Sequence, residues 1–166
     1  LLNACINRGD IITNTGIYHL INVMGNYRIE KKKIWKTPTT LVLELYTKFH
    51  KGKILKSVVN TSNFVSFKLG KQPEYKNNKL IDSAVTMNGK HMCMSVVNKS
   101  SSEKILLKVP YLDRIAENYC IEGSNKVDLN TYANTSKVKI KKNSLKTSKG
   151  FLILPSHSIS VVLFNI

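Results

Sequence analysis

From about residue 58 onward the chain is a succession of short apolar runs, each closed by a turn signal and none carrying a helical repeat. Residues 58–69, 81–87, 91–97, 104–109, 116–122, 136–142, 151–153 and 158–164 read as strands. Asn77-Asn78, Asn88-Gly89, the lysine–serine stretch 99–102, Gly123-Ser124-Asn125, Lys149-Gly150 and Leu154-Pro155-Ser156 separate them. Asn-Gly accepts the positive φ angles of a tight turn, so Asn88-Gly89 between two alternating runs is the strongest hairpin signal. Strands of this length and spacing, with no helix between them, pair with their neighbours and stack as a β-sandwich. The expected class is therefore mainly β.

The first 52 residues have a different texture. Residues 37–50 predict a helix: Thr37 suits the N-cap and Pro38 the first helical position, where a missing N–H costs nothing. Leu41, Leu45 and Phe49 recur every four residues beside Val42 and Tyr46, giving one apolar face. Lys48, His50 and Lys51 favour the negative C-terminal end, and Gly52 can stop the helix. Residues 1–8 suit the tail of another helix, whereas 17–24 is too short to classify by period.

At 166 residues the chain holds one domain, or one domain plus part of another. No apolar run reaches the ~18 residues of a membrane span. The first residues lack the pattern of a secretory signal, and the missing initiator methionine suggests a start inside a longer product. Cys5, Cys93 and Cys120 are an odd number without C-x-x-C spacing. They argue against a disulfide framework or zinc site and fit a reducing, cytoplasmic compartment. Three Asn-x-Ser/Thr matches, at Asn60, Asn98 and Asn134, are what chance gives in so Asn- and Ser-rich a chain.

Twenty-six basic against 10 acidic residues leave a net charge of +16. That charge would draw anions, but all basic residues except Arg8, Arg28 and Arg114 are lysine, which lacks the bidentate fork used to read bases. The run from Lys137 to Lys142 alternates lysine with Val138 and Ile140, a strand with one wet face, and lysine also guards exposed strand edges. A solvated face is favoured over a nucleic-acid groove, and nucleic acid is not the expected partner.

No reaction can be read from the remaining residues. The ten acids sit in no nucleophile or acid/base setting, and Asp128 among asparagines suits a turn cap. His19, His50, His91 and His157 never fall at metal-ligand spacing, so no metal or cofactor is expected. Phosphate-loop, dinucleotide and nucleophile-elbow motifs are missing.

Read in order, several blocks resemble the C-terminal part of the intracellular α-L-arabinofuranosidases of glycoside hydrolase family 51. Leu2-Asn3-Ala4-Cys5-Ile6-Asn7-Arg8 resembles the helix that follows that family's nucleophile. Tyr18-His19-Leu20-Ile21-Asn22-Val23-Met24 is similar to its Ala-Gln-x-Val-Asn-Val segment, and Ile34-Trp35-Lys36-Thr37 through residues 45–52 to the Trp-led helix that closes its barrel. Ile81-Asp82-Ser83-Ala84 with Met94-Ser95-Val96-Val97-Asn98 resembles a strand pair. Asn134 to Val138 resembles a late Asn-x-x-x-Val stretch. Leu154-Pro155-Ser156-His157-Ser158-Ile159, the most specific block, resembles a closing Leu-Pro-Pro-His-Ser-Val.

The resemblance implies a jelly-roll-like β-sandwich over 53–166, preceded over 1–52 by a partly helical remnant of the end of a (β/α)₈ barrel. It implies a retaining hydrolase that removes terminal arabinofuranosyl groups from hemicellulose-derived oligosaccharides, a reaction needing two carboxylates about 5 Å apart. In the family both lie upstream of the first matching block, so no catalytic residue is expected in this chain. A barrel takes roughly 250 residues, far more than the lead-in offers.

His19 stands where the family has a sugar-contacting glutamine and is the one substrate-binding candidate. Imidazole can make one such hydrogen bond but not an amide's pair. Expected partners are an arabinose-containing oligosaccharide bound through a parent enzyme, and a barrel chain in trans or further copies of this one. Two other readings stand beside this one. A stand-alone carbohydrate-binding module would use Tyr111, Tyr119 or Tyr132 as sugar platforms. A polyanion binder would use the lysines. Without a barrel, the face of Leu41, Leu45 and Phe49 would be exposed and drive self-association, unless the helix folds back on the sandwich.

Overall fold

The computed structural model describes residues 1–16, 19–125 and 127–166. Tyr18, part of one family-like block, lies outside them. Among the described residues no helix is long and apolar enough to cross a membrane.

The lead-in comprises α1 (Leu2–Asn7), the antiparallel hairpin β1 (Tyr27–Glu30) and β2 (Lys33–Lys36), and α2 (Pro38–Phe49). α2 starts and ends where its sequence signals fall. Thr37 is the N-cap, Pro38 occupies the first turn, and His50 is the C-cap. Gly52 follows at φ +79°, where a Cβ would meet the Met87 carbonyl oxygen at 2.3 Å. A side chain is barred there on both counts.

Beyond it run β3 (Lys53–Leu55), β4 (Asn63–Ser66), β5 (Tyr75–Lys79), β6 (Ile81–Asn88), β7 (His91–Asn98), β8 (Ile105–Leu107), β9 (Ile115–Glu122), β10 (Ile140–Lys142), β11 (Lys146–Ser148), β12 (Phe151–Leu154) and β13 (Ser158–Asn165). Six form one antiparallel sheet in the order β10-β9-β13-β7-β6-β3. A second sheet has the order β11-β12-β8, and β4 pairs only with β5. The protein is mainly β, as the strand pattern implies. The Asn88-Gly89 hairpin is present, joining β6 to β7 with Asn88 opposite His91 and Gly89 at φ +60°.

Some sequence expectations are trimmed. The predicted strand 58–69 shrinks to β4, with an isolated bridge from Leu69 to Gln72, and 136–142 shrinks to β10. The hairpin β1–β2 and the strands β3, β5 and β11 are additions.

Each face of the large sheet is covered. Ile81, Val85, Met94, Val96, Cys120, Val162 and Phe164 pack with Leu152 and Leu154 of the small sheet, forming the core of the sandwich. On the opposite face Cys93, Tyr119, Ile121 and Val161 pack with Leu41, Leu45 and Tyr46 of α2, with Leu2 and Ile6 of α1 at the margin. The apolar stripe of α2 is thus folded back on the sheet. β6, β7 and β13 accordingly bury small polar side chains, Ser83, Thr86, Ser95 and Ser160, beside their apolar ones, as strands covered on both sides do.

Candidate functional site

The largest described cleft, about 780 Å³, opens where α1 and α2 meet the sheet. Leu2, Val42, Leu43 and Ile159 give it apolar walls, while Asp82 and Lys99 supply charge. At its base lies a buried polar node. Asn3, 1% exposed, accepts at Oδ1 from the Tyr46 hydroxyl and the Ser95 hydroxyl, both at 2.6 Å. Burial pushes the Tyr46 phenol up to about 12. Asn3 Nδ2 is buried without a hydrogen-bond partner, and the residue lines the cleft. The node ties α1 and α2 to β7.

A second depression, about 350 Å³, is lined by Cys5, Gly9, Thr13, His50, Ile54 and Thr86. His50 Nδ1 lies 3.1 Å from the Thr86 hydroxyl, its ring packs against Tyr46, and burial lowers its pKa to about 4. Its Nε2 is buried and unpaired.

Three of the acids, Asp128, Glu117 and Glu122, are held in structural ion pairs. Asp128 accepts from the Ser124 amide and hydroxyl and from the Asn125 amide, and it pairs with Lys137 at 2.7 Å. These bonds, Lys137 first, hold its carboxyl well below the usual range. It caps a turn, as its surroundings in the sequence suggest. Glu117 and Glu122 pair with Lys142 and Lys141; five residues apart on one strand, they stand about 16 Å from each other. That is too far for a retaining pair. No group of three or more His, Cys, Asp or Glu among the described residues could hold a metal ion.

His19 is half-buried in the segment after α1. Its carbonyl accepts from the Asn26 amide at 3.3 Å, and the next carbonyl, of Leu20, accepts from Tyr27 at 2.9 Å. The segment is thereby fixed to β1. His19 lines neither cleft described above.

Of the three tyrosines considered as sugar platforms, only Tyr111, 49% exposed, presents much of its ring to solvent. Tyr119 is buried against Phe49 with centroids 4.7 Å apart. Arg114 lies over Tyr111, and Lys31 and Lys33 both lie over Tyr132. Trp35 is 8% exposed and donates to the Asn130 carbonyl at 2.9 Å. Sequence reasoning missed Asn130. Its amide donates to the carbonyls of Lys36 and Val138 and accepts from the Val138 N–H, clasping the lead-in to the sandwich.

These features define a class: an antiparallel β-domain whose six-stranded sheet carries a three-stranded sheet on one face and a helical lead-in on the other. Residues 1–158 match the family model of the α-L-arabinofuranosidase C-terminal domain, and the chain belongs to that family. Its fold is also that of solved family 51 enzymes. An α-L-arabinofuranosidase from Thermotoga petrophila superposes with a TM-score of 0.82 at 22% identity, over 99% of this chain and 36% of that one. The Thermotoga maritima enzyme, solved as an arabinose complex, gives 0.79 at 20% identity, over 96% and 35%. The Bifidobacterium longum enzyme gives 0.79 at 15%, over 100% and 33%. The chain therefore spans about a third of the length of the solved proteins it matches. No curated protein matches it in sequence.

Proposed function

We propose that this chain is the non-catalytic C-terminal portion of a retaining α-L-arabinofuranosidase acting in the cytoplasm on arabinose-containing oligosaccharides. The observation that carries the reading is the family match over residues 1–158. In this reading residues 1–52 are the end of a (β/α)₈ barrel, 53–166 form the sandwich, and both carboxylates belong to the barrel. The exposed apolar side chains of Ile11, Leu20, Val23, Met24 and Ile34 support it. All five lie in the lead-in, and a barrel body packed there would remove them from water. His19 is the proposed sugar contact, brought to the arabinosyl group only once that body is in place.

The chain alone is expected to give no turnover of a chromogenic arabinofuranoside. Mixed with a barrel polypeptide of a family 51 enzyme lacking its own C-terminal portion, it is expected to restore turnover, and His19→Ala to lower it. Turnover by the pure chain would overturn the reading.

A further inference from the structure

We propose that the free edge of β8 is a docking site for an extended segment of a second polypeptide, which adds to the small sheet as its fourth strand. This surface is separate from the glycosidase reading above and does not depend on it.

β8 differs from the other edges of the stacked sheets. The large sheet ends in β10 and β3, and the small one in β11 and β8. Lys141 and Lys142 lie in β10, Lys53 in β3 and Lys146 in β11. Lysine within an edge strand hinders pairing with another chain. β8 reads Ile105-Leu106-Leu107, with no charge, no proline and no bulge. On one side it bonds to β12, whereas its other side makes no hydrogen bond among the described residues. Leu106 is 59% exposed there.

Beside that edge the sandwich is hollow. A cavity of about 630 Å³ lies against Leu106 and Leu107 and over Ser83 and Val85 of β6 and Met94 of β7. Among the described residues the small sheet has no strand beyond β8 to cover this part of the large one. Val58, 82% exposed, stands at another wall. The dimensions are those of one strand. Neighbouring strands lie about 4.8 Å apart and stacked sheets about 10 Å, so a slab of this volume is about 13 Å long, or about four residues of strand.

Edge and cavity together select a peptide. A strand laid along β8 pairs its backbone with the free N–H and C=O groups and turns every second side chain inward, where the apolar walls shield it from water. A compact apolar molecule would fill the hollow but make no use of the β8 backbone. The occupant is therefore extended, and apolar at alternate positions.

The test is fluorescence anisotropy of a labelled heptapeptide, Glu-Val-Thr-Val-Thr-Val-Glu, titrated with the 166-residue chain at about 0.15 M salt, where exposed charges are largely screened. Saturable binding is expected. In hydrogen exchange the peptide is expected to protect residues 105–107 and to leave β10 and β11 unchanged. Leu106→Lys is expected to weaken binding about tenfold, although the added charge attracts the terminal glutamates. Thr147→Lys adds the same charge to β11 and is expected to change binding less than about twofold. A peptide with proline in place of both threonines lacks two backbone donors and is expected to bind about tenfold more weakly. Equal binding of the two peptides would reduce the site to an apolar pocket and overturn the proposal. Protection at another edge, or no saturable binding, would overturn it as well. Dimerisation of the chain through β8 in sedimentation without peptide would assign the edge to a second copy instead.

Discussion

The two faces of the six-stranded sheet are buried by different means. Toward the small sheet, contact is made at its centre by interdigitated aliphatic and aromatic side chains, Phe164, Val162, Val96, Leu152 and Leu154 among them. Toward the helices, the apolar contact surrounds a polar node, Asn3–Tyr46–Ser95, and a buried histidine bonded to Thr86. The first face depends on shape and volume, which many residue combinations could satisfy. The second depends on particular donors and acceptors meeting across three elements, and it leaves Asn3 Nδ2 and His50 Nε2 unpaired. Apolar packing makes the sandwich, whereas the polar contacts fix how the lead-in sits upon it.

Truncating the sandwich face should cost most. Phe164→Ala removes a fully buried ring and is expected to destabilise the fold by about 3–5 kcal/mol, read from urea unfolding. On the helix face, Asn3→Ala strands two buried hydroxyls without their acceptor, for about 2–3 kcal/mol. Hydrogen exchange should show α1 and α2 loosening while β7 and β13 keep their protection. Uniform loss of protection would mean the two faces are one cooperative unit.

A pH series separates the faces without mutation. The folded-state pKa of His50 is about 4, below the ordinary 6.5. Between those values the unfolded chain takes up a proton that the folded chain refuses, so stability is full above about pH 6.5 and falls as pH drops. Lowering the pH from 7 to 5 should cost about 2 kcal/mol, and His50→Gln should abolish that drop. The smallest effect is expected at the sheet's edge. There Glu122→Gln breaks an exposed pair with Lys141 and should change stability by about 0.5 kcal/mol or less.

What the sequence disclosed divides along the same line. The limits of α2 and the β6–β7 hairpin were legible because Thr37, Pro38 and Asn88-Gly89 act on the backbone within a few residues. The central strands were legible from their short apolar runs closed by turn signals. The β1–β2 hairpin was not, since Arg-Ile-Glu-Lys-Lys-Lys-Ile carries no strong turn signal and its anchor, Asn130, lies 95 residues from Trp35. The node at Asn3 was equally hidden. The residue stood out only as part of a family-like block, and its hydroxyl partners are 43 and 92 positions away. The lysine alternation after Lys137 was read as a strand with one solvated face; Lys137 and Lys139 are exposed, but the strand itself covers only Ile140–Lys142, at the edge of the large sheet.

The place of β13 governs the order in which this molecule can be assembled. It is the last strand in chain order, yet it sits between β9 and β7, hydrogen-bonded to both along most of its length. During synthesis the sheet therefore exists as two unjoined pieces until residues 158–165 have been made. At 5–20 residues per second, the roughly 60 residues from β7 to β13 keep the inner edge of β7 without its neighbour for some 3–12 s, and the roughly 36 from β9 to β13 keep that of β9 open for some 2–7 s. From the completion of β9 until then, both strands present open backbone edges beside apolar side chains, the surface that holdase chaperones recognise and that mispairs with neighbouring chains.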